Sequence, residues 1–274
     1  MAELLIELLS EEIPARMQAR AAADFARLIE ERLTGAALKP GSVRSYVTPR
    51  RIALVADGVP ERQPDREDER RGPRVGAPDR AIAGFLKANG LESLDQCEVR
   101  EVKGAQFYFV VEKIEGRMAA AALPEMIADA IHAIPWPKSM RWGDTERRYV
   151  RPLDRVSVVF DGKPLHGVIE FGGRMGAKSF GAATLGHRFM APGIEVPLTD
   201  FETYKASLEH AYVLLDPAER KARIEAGLAA VAERTGFRVK PDPALLDEVT
   251  GLVEWPVVLA GAIDEAFMSV PAEA

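Results

Sequence analysis

The sequence has little of what several classes of protein require. It contains a single cysteine, Cys97, which excludes an intramolecular disulfide and fits a reducing compartment. No apolar run approaches the roughly 20 residues needed to cross a bilayer. The first residues, MAELLIELLSEEIPAR, carry acids where a secretory signal would be basic. These absences predict a cytoplasmic protein with no membrane partner.

Patterns typical of metal binding and of nucleophilic catalysis are also missing. The histidines are His132, His166, His187 and His210; no two of them lie at ligand spacing, and Cys97 is isolated. No serine lies in a nucleophile elbow. We therefore expect neither a metal site nor a catalytic residue in this chain.

The segment Gly172–Ser179, GGRMGAKS, nearly matches a phosphate-binding loop, because a predicted strand precedes it and Lys178-Ser179 close it. However, Ala177 stands where a glycine is expected before the lysine, and glycines and a proline follow where a helix must begin. Without a helix N-terminus, the amide groups that hold phosphates are missing. We therefore predict a flexible glycine-rich loop.

What the sequence does have is a basic middle in an acidic chain. The net charge is −6, yet ten Lys/Arg face five Asp/Glu between Trp136 and Met190, a local net of +5. Such a field usually faces an anionic partner, but the same arginines can instead pair with acids from the flanks. Both interpretations stay open. The most basic stretch is Trp136–Pro152, in which we expect Trp142 to pack rather than to offer a stacking platform.

The periodicity predicts an α+β fold with mixed helices and antiparallel hairpins in two subdomains. Residues 1–59 form an N-terminal α+β segment in this prediction. Residues 60–76, PERQPDREDERRGPRVG, form a charged linker or loop because they offer almost nothing to bury. Residues 77–135 form a helix–hairpin–helix segment, and residues 136–274 an α+β subdomain around the basic loop.

Three finer expectations concern that last subdomain. Val156–Phe160 is predicted to form a hairpin with Leu165–Phe171, and Val257–Ile263 is predicted to be a buried strand. Asp216, with a glutamate three residues on, predicts the start of a long helix that Gly236 ends.

Several short motifs occur in a recognisable order. They are Thr48-Pro49-Arg50-Arg51, Arg71-Gly72-Pro73, KSMRWG at Lys138–Gly143, Arg151-Pro152, GHRF at Gly186–Phe189, and LVEWP at Leu252–Pro256 followed by Gly261 and Phe267. In this order and at these separations, the chain resembles the beta subunit of the bacterial heterotetrameric glycyl-tRNA synthetase. The likeness runs from Glu3 to Pro271. Because members of that family are considerably longer, the chain resembles their N-terminal part.

The resemblance implies an ATP-dependent class II ligase in which a separate alpha subunit holds glycine, ATP and magnesium while the beta subunit binds tRNA. This chain would then be a non-catalytic part of the enzyme that binds no cofactor and no DNA, with the alpha subunit and tRNA-Gly as its partners. The alternative is a protein-interaction module that mainly docks the alpha subunit and has no direct tRNA contact.

The candidate tRNA-binding residues lie in these motifs and in the basic stretch. They are Arg50, Arg51, Lys138, Arg141, Arg151, His187 and Arg188. We expect phosphate and shape contacts with little base reading. For His187, a hydrogen bond within its own loop is the competing interpretation.

Overall fold

The computed structural model describes residues 1–267; Pro271 and the end of the predicted 136–274 subdomain lie outside the described residues. The helices are α1 (Ala15–Gly35), α2 (Asp79–Ala88), α3 (Ala119–His132), α4 (Phe201–His210), α5 (Pro217–Thr235) and α6 (Pro243–Thr250). Over these residues, no helix has the length and apolar character needed to cross a membrane.

Strands accompany the helices along most of the chain. They are β1 (Ala2–Ser10), β2 (Ser42–Val47), β3 (Arg51–Val59), β4 (Arg66–Arg74), β5 (Glu98–Val102), β6 (Ala105–Ile114), β7 (Leu153–Phe160), β8 (Lys163–Pro164), β9 (Val168–Glu170), β10 (Ala177–Gly181), β11 (Ala183–Leu185) and β12 (Glu195–Pro197). The mixture of helices and largely antiparallel sheets confirms the predicted α+β class.

The chain divides into two compact units. The main unit consists of Met1–Glu61 and the chain from Ala122 onwards, and the inserted unit consists of Arg62–Ala121. The N-terminal and C-terminal segments that the sequence suggested as separate regions therefore belong to the same unit. All the candidate tRNA-binding residues belong to the main unit.

A seven-stranded sheet forms the centre of the main unit, in the order β2-β3-β1-β7-β10-β9, with β8 also paired to β7. The pairs are antiparallel except for β7 with β10, which run parallel. Strand β1 lies in the middle and is buried almost throughout, since both its neighbours and the layers on its faces cover it. This explains why its sequence is a nearly continuous apolar run rather than an alternating one.

One face of the sheet packs against α4. Leu5 of β1 and Val55 of β3 share a buried cluster with Phe201, Tyr204 and Leu208. Because side chains alternate along a strand, Glu7 lies on the same face as Leu5 and enters this core as its acidic member. Helix α1 packs on β2 and β3.

The inserted unit shows that the predicted linker at 60–76 is wrong over most of its length. Arg66–Arg74 forms β4, which pairs antiparallel with β6, while β5 pairs with the other edge of β6. Charged side chains on β4 remain largely exposed, as is common on an edge strand, and some of them contact β6: Arg70 lies 3.8 Å from Glu112, and the Arg71 guanidinium lies 3.7 Å from the Phe107 ring centroid. Composition therefore predicted the exposure correctly but not the strand.

Two strand predictions in the last subdomain are also wrong, the first of them only in part. The hairpin of β7 is short: its partner is β8, followed by a bond from the Leu165 N–H to the Val158 carbonyl at 3.0 Å, whereas the β9 part of Leu165–Phe171 pairs with β10, and β10 pairs with β7. Val257–Ile263 forms no strand, and Leu259 is 84% exposed. Over the described residues no strand pairs with this segment; Val257 and Ile263 are also exposed, while Val258 is half-buried against Gly227 of α5. By contrast, α5 begins at the Asp216 cap and ends at Gly236 as predicted.

Candidate nucleic-acid interface

The candidate residues fall in two places. The first, which we call the motif junction, brings together Ser10–Ile13, Thr48–Arg51, Arg151-Pro152, Gly186–Arg188 and Glu254. Its backbone is tied by N–H groups of Ser10, Glu11 and Ile13, which donate to the carbonyls of Arg50 (2.7 Å), Pro152 (3.0 Å) and Pro49 (2.6 Å). The second, which we call the two-loop surface, consists of residues 138–150 and 171–176.

Arg51 is a correction to the predicted set, because its side chain is fully buried. Its Nε donates to Glu254 Oε1 at 2.7 Å, its Nη1 lies 3.4 Å from Glu7 Oε2, and its Nη2 donates to the carbonyl of Leu185 at 2.9 Å. Burial disfavours the charged guanidinium, yet Glu254 and Glu7 raise the pKa of Arg51 above its ordinary value. Arg51 is thus a charged structural residue of the core, out of reach of RNA.

The carboxylates that face Arg51 have further partners. The hydroxyls of Thr184 and Tyr204 donate to Glu7, and Thr48 Oγ1 donates to Glu254 Oε1 at 2.7 Å. Burial alone would raise the pKa of Glu254, but the charge of Arg51 and the bonds from Arg51 and Thr48 outweigh it and lower that pKa. The network therefore joins the TPRR and LVEWP motifs through a buried, hydrogen-bonded ion cluster.

Arg220 of α5 is a second buried arginine, and it bonds to chain segments that adjoin the motif junction. Its guanidinium donates to the carbonyls of Val47, Leu214, Leu215 and Thr250, so it ties β2 to the chain segments before and after α5. Burial lowers the pKa of Arg220 to about 10, which leaves it protonated at neutral pH. Sequence reasoning missed this residue; a cation one turn into a capped amphipathic helix gives no signal of burial.

Two further candidate residues of the motif junction, Arg188 and His187, have ion-pair or hydrogen-bond partners within the chain. Arg188 Nη1 lies 2.6 Å from Glu12 Oε1 and 3.4 Å from Glu11 Oε2, which matches the interpretation that arginines pair with acids from the flanks. His187 Nδ1 accepts the N–H groups of Phe189 and Met190, both at 3.1 Å, so the hydrogen bond within its own loop is present, and contact of His187 with tRNA stays a prediction.

Arg50 and Arg151 complete the predicted set at the junction. Arg151 is half-buried and donates to the adjacent carbonyl of Val150 at 2.8 Å. Arg50 is also half-buried, and its Nε is buried without a hydrogen-bond partner among the described residues. The pKa of His187 lies below its ordinary value, chiefly because burial disfavours the charged imidazolium. The charge of Glu254 raises this pKa, while the nearby cations Arg51 and Arg50 lower it.

The two-loop surface has a different character. Lys138 and Arg141 are exposed. Arg141 lies in a loop that is closed by reciprocal backbone bonds between Met140 and Tyr149, at 2.8 and 3.0 Å, and Lys138 lies two residues before this closure. Arg148 donates from Nε to Ser139 Oγ at 3.1 Å and braces the same loop. The first loop is therefore held in one conformation by its own bonds.

The second loop, from Phe171 to Gly176, is fastened to the first. Asp144 Oδ2 accepts the N–H of Arg174 at 2.8 Å, and Asp144 Oδ1 accepts the N–H of Met175 at 3.1 Å. These backbone bonds, in that order, lower the pKa of Asp144. Gly173 has a φ of +70°, and a Cβ at that position would overlap the carbonyl oxygen of Asp144. The glycines thus allow the two loops to approach each other.

The remaining part of the glycine-rich segment is not a loop. Lys178 and Ser179 lie in β10, so no helix begins after them and the arrangement differs from a phosphate-binding loop. The predicted flexible loop is limited to the turn before β10. There, the Phe171 N–H donates to the Gly176 carbonyl at 2.9 Å, which makes the turn compact.

Aromatic side chains of this region pack on one another. Trp142 lies 5.1 Å from Phe171 and Trp136 lies 5.2 Å from Tyr149, measured between ring centroids. Phe171 and Tyr149 are themselves 5.8 Å apart and almost fully buried. The expectation that Trp142 packs is confirmed, and these rings fix both loops to the body of the unit.

The ion pairs of the basic middle bear on the two open interpretations, which are contact with an anionic partner and pairing with acids from the flanks. Of the ten Lys/Arg between Trp136 and Met190, only Arg155 and Arg188 form ion pairs among residues 1–267. Lys138, Arg141, Arg147 and Arg174 are exposed, and within the described chain their side chains have neither an ion pair nor a hydrogen bond. Sequence reasoning missed Arg147 and Arg174; the adjacent glycine-rich turn was the available signal.

Among residues 1–267, no three His, Cys, Asp or Glu side chains are arranged to hold a metal ion.

Comparison with known proteins agrees with the resemblance. The family described as "Glycyl-tRNA synthetase beta subunit" matches residues 4–274. The chain belongs to this family. It is 49% identical over 291 residues to the "Glycine--tRNA ligase beta subunit" of Rhodospirillum centenum, covering 100% of this chain and 41% of that protein. It is 46% identical over 273 residues to the protein of the same name from Paracoccus denitrificans, covering 100% of this chain and 39% of that protein. The chain thus spans about two fifths of the length of these curated relatives.

Proposed function

We propose that this chain is a tRNA-binding part of a glycyl-tRNA synthetase beta subunit and helps to position tRNA-Gly for ATP-dependent aminoacylation by the alpha subunit, in the cytoplasm. The observation that carries the proposal is the two-loop surface, where exposed cations without partners among residues 1–267 gather in a chain of net charge −6. Cations that no acid neutralises attract a polyanion such as RNA. Because the chain belongs to the glycyl-tRNA synthetase beta subunit family, the RNA in this proposal is tRNA-Gly.

The binding experiment measures the affinity of the chain for tRNA-Gly over a salt series from about 50 to 200 mM, because each phosphate contact releases counterions. We expect the affinity to fall steeply with salt. The variant with Lys138→Ala and Arg141→Ala should bind more weakly and show a flatter salt dependence. If the affinity were independent of salt and unchanged by both substitutions, the two-loop surface would not be the tRNA site.

In this proposal the chain supplies no catalytic residue, and glycine, ATP and magnesium bind to the alpha subunit. The purified chain should therefore show only background glycine-dependent exchange between ATP and pyrophosphate. Exchange that persists through further purification, and that follows the protein peak, would contradict the assignment of the chemistry to the alpha subunit.

A second candidate function, docking of the alpha subunit, is favoured by a different observation. An open groove of about 640 Å³ runs between α5 and α6, lined by apolar side chains that include Leu228, Val239 and Leu246. Leu245 at its rim is 57% exposed. A protein partner would cover such a surface, whereas RNA would not. Leu245→Asp should reduce co-purification with the alpha subunit and leave tRNA affinity unchanged; if co-purification is unaffected, the groove is not the docking site.

A further inference from the structure

We propose that the two-loop surface binds the phosphate backbone of double-stranded RNA, with Arg147 and Arg174 joining Lys138 and Arg141, and with Asp144 as a positioning residue. This inference rests on the proposed function and narrows it to one kind of RNA structure. It also assigns a role to the glycine-rich turn, which the sequence alone predicts to be a flexible loop.

The first argument is the state of the cations. Each of the four side chains is exposed and has no bonded partner in the described part of the chain, so each is available to an external phosphate. They come from both loops: Arg174 belongs to the second and the other three to the first. The acids between them are Asp144, whose two oxygens already accept backbone N–H groups, and Glu146.

The second argument is that the two loops are held together before any ligand arrives. Besides the bonds from Asp144, the N–H groups of Glu146 and Arg147 both donate to the Phe171 carbonyl, at 2.9 and 2.8 Å. Arg147 and Arg174 are therefore carried by backbone segments that are bonded to each other. A surface that is already ordered loses less entropy when it binds a regular ligand.

The third argument distinguishes double-stranded from single-stranded RNA. Sites for single strands combine a basic groove with aromatic faces on which bases stack. Here the rings that could serve, Trp136, Trp142, Tyr149 and Phe171, contact one another instead. Duplex RNA is recognised mainly through its shape and through its phosphates and sugars, and for this exposed cations on a fixed surface are sufficient.

The first experiment compares RNA structures. The probes are a duplex of about 16 base pairs, the span of common duplex-binding domains, and one of its strands chosen to be unpaired. We expect the chain to bind the duplex roughly tenfold more tightly, because a single strand gains no stacking here. Preference for the single strand, or binding of tRNA-Gly without binding of the duplex, would overturn this inference and leave the proposed function standing. Failure to bind any of the three RNAs would overturn the proposed function itself.

The second experiment tests the newly assigned cations. The double variant Arg147→Ala, Arg174→Ala should flatten the slope of log affinity for the duplex against log salt by about 1.8, or about 0.9 for each lost contact. The matched control is Arg234→Ala, Arg238→Ala, which removes the same charge from exposed residues outside the two loops. A slope that falls equally in both variants, or in neither, would overturn the site.

The third experiment isolates the positioning role of Asp144. Asp144→Ala and Glu146→Ala each remove one acid from the same loop, which by charge alone should strengthen RNA binding. We expect Glu146→Ala to bind as well as the wild type or better, and Asp144→Ala to bind at least about threefold more weakly, because two charge-assisted hydrogen bonds to the second loop are lost. If Asp144→Ala does not fold, Asp144→Asn, which keeps one acceptor oxygen, replaces it and should weaken binding in the same direction. Tighter binding by the Asp144 variant would overturn the positioning role.

Discussion

In the motif junction, Arg51 extends from β3 into the face of the sheet that α4 covers, and there it meets Glu7 and Glu254. In the two-loop surface, Arg141 and Arg147 extend from a loop outside the sheet and have no partner within the described chain. Both places are rich in arginine and both belong to motifs that the sequence singled out. They differ in which backbone element carries the cation and in whether acids are buried with it.

This difference separates a stabilising role from a binding role. A buried guanidinium surrounded by carboxylates holds chain segments that are far apart in sequence, since Glu7, Arg51 and Glu254 come from three of them. An exposed guanidinium on an ordered loop contributes little to stability and keeps its charge available. Substitutions should therefore affect stability in the first place and RNA affinity in the second.

The largest effect is expected for Arg51→Ala. The substitution leaves the buried carboxylates of Glu7 and Glu254 without their cation, and removing one partner of a buried ion pair costs about 3–5 kcal/mol of unfolding free energy. Urea denaturation followed by circular dichroism measures the loss. Arg141→Ala is the matched control and should change the free energy of unfolding by less than about 0.5 kcal/mol. Equal losses in the two variants would remove the distinction between the two places.

The pH dependence of stability should report the same network. Because the pKa of Glu254 is lower in the folded protein than its ordinary value of 4.5, the unfolded chain binds a proton more readily there. The stability from this group is thus present above about pH 4.5 and is lost as the pH falls through the folded pKa. Glu254→Gln should be less stable than the wild type at pH 7 and should lose less on acidification. A variant with the same acid profile as the wild type would show that Glu254 is not the titrating group.

A smaller effect is expected at the contact between the two loops. Gly173→Ala places a Cβ against the Asp144 carbonyl at a residue whose φ is +70°, and we expect a loss of about 1–3 kcal/mol together with weaker RNA binding. Gly193→Ala is the control, since Gly193 has a φ of +72° with no atom within 4 Å of the added Cβ. Gly193→Ala should therefore show only the loss of unfolding free energy that comes from placing an alanine at a positive φ. Equal melting temperatures for the two variants would contradict the close approach of the loops.

Local sequence signals predicted those elements whose cause is local. Helix α5 begins at Asp216 and ends at Gly236 because a cap and a left-handed glycine act within one turn. The β5–β6 hairpin was also predicted, since its strands are adjacent in sequence. In contrast, β4 is too polar to be recognised by burial and is a strand only because β6, more than thirty residues later, supplies its pairing partner.

The candidate site residues show the same contrast between features with a local cause and features that depend on residues distant in sequence. Trp142 as a packing residue and Arg141 as an exposed cation were predicted from the basic, aromatic stretch itself. The burial of Arg51 was not, because its acidic partners lie 44 and 203 positions away. One signal was available: Glu7 is the charged residue within the apolar run LLIELLS, and an acid in a buried strand requires a buried partner.

The smallest effects on stability should separate two exposed arginines, Arg141 and Arg188. Arg188 already lies within 3.4 Å of carboxylate oxygens of Glu11 and Glu12, so its charge is not free to neutralise an RNA phosphate and release that phosphate's counterions. Arg188→Ala should lower the free energy of unfolding by at most about 1 kcal/mol and leave the salt slope of tRNA binding unaltered.

Arg141→Ala should instead leave stability unchanged and flatten that slope by about 0.9, the value for one phosphate contact. Docking of the alpha subunit through Arg141 would give a third pattern, in which stability and the tRNA slope are both retained and the complex with the alpha subunit is lost. If Arg188→Ala flattens the slope and Arg141→Ala does not, the RNA contacts the motif junction rather than the two-loop surface. The ion pairs of Arg188 would then have to open when tRNA binds, and Glu11 and Glu12 would be the next residues to substitute.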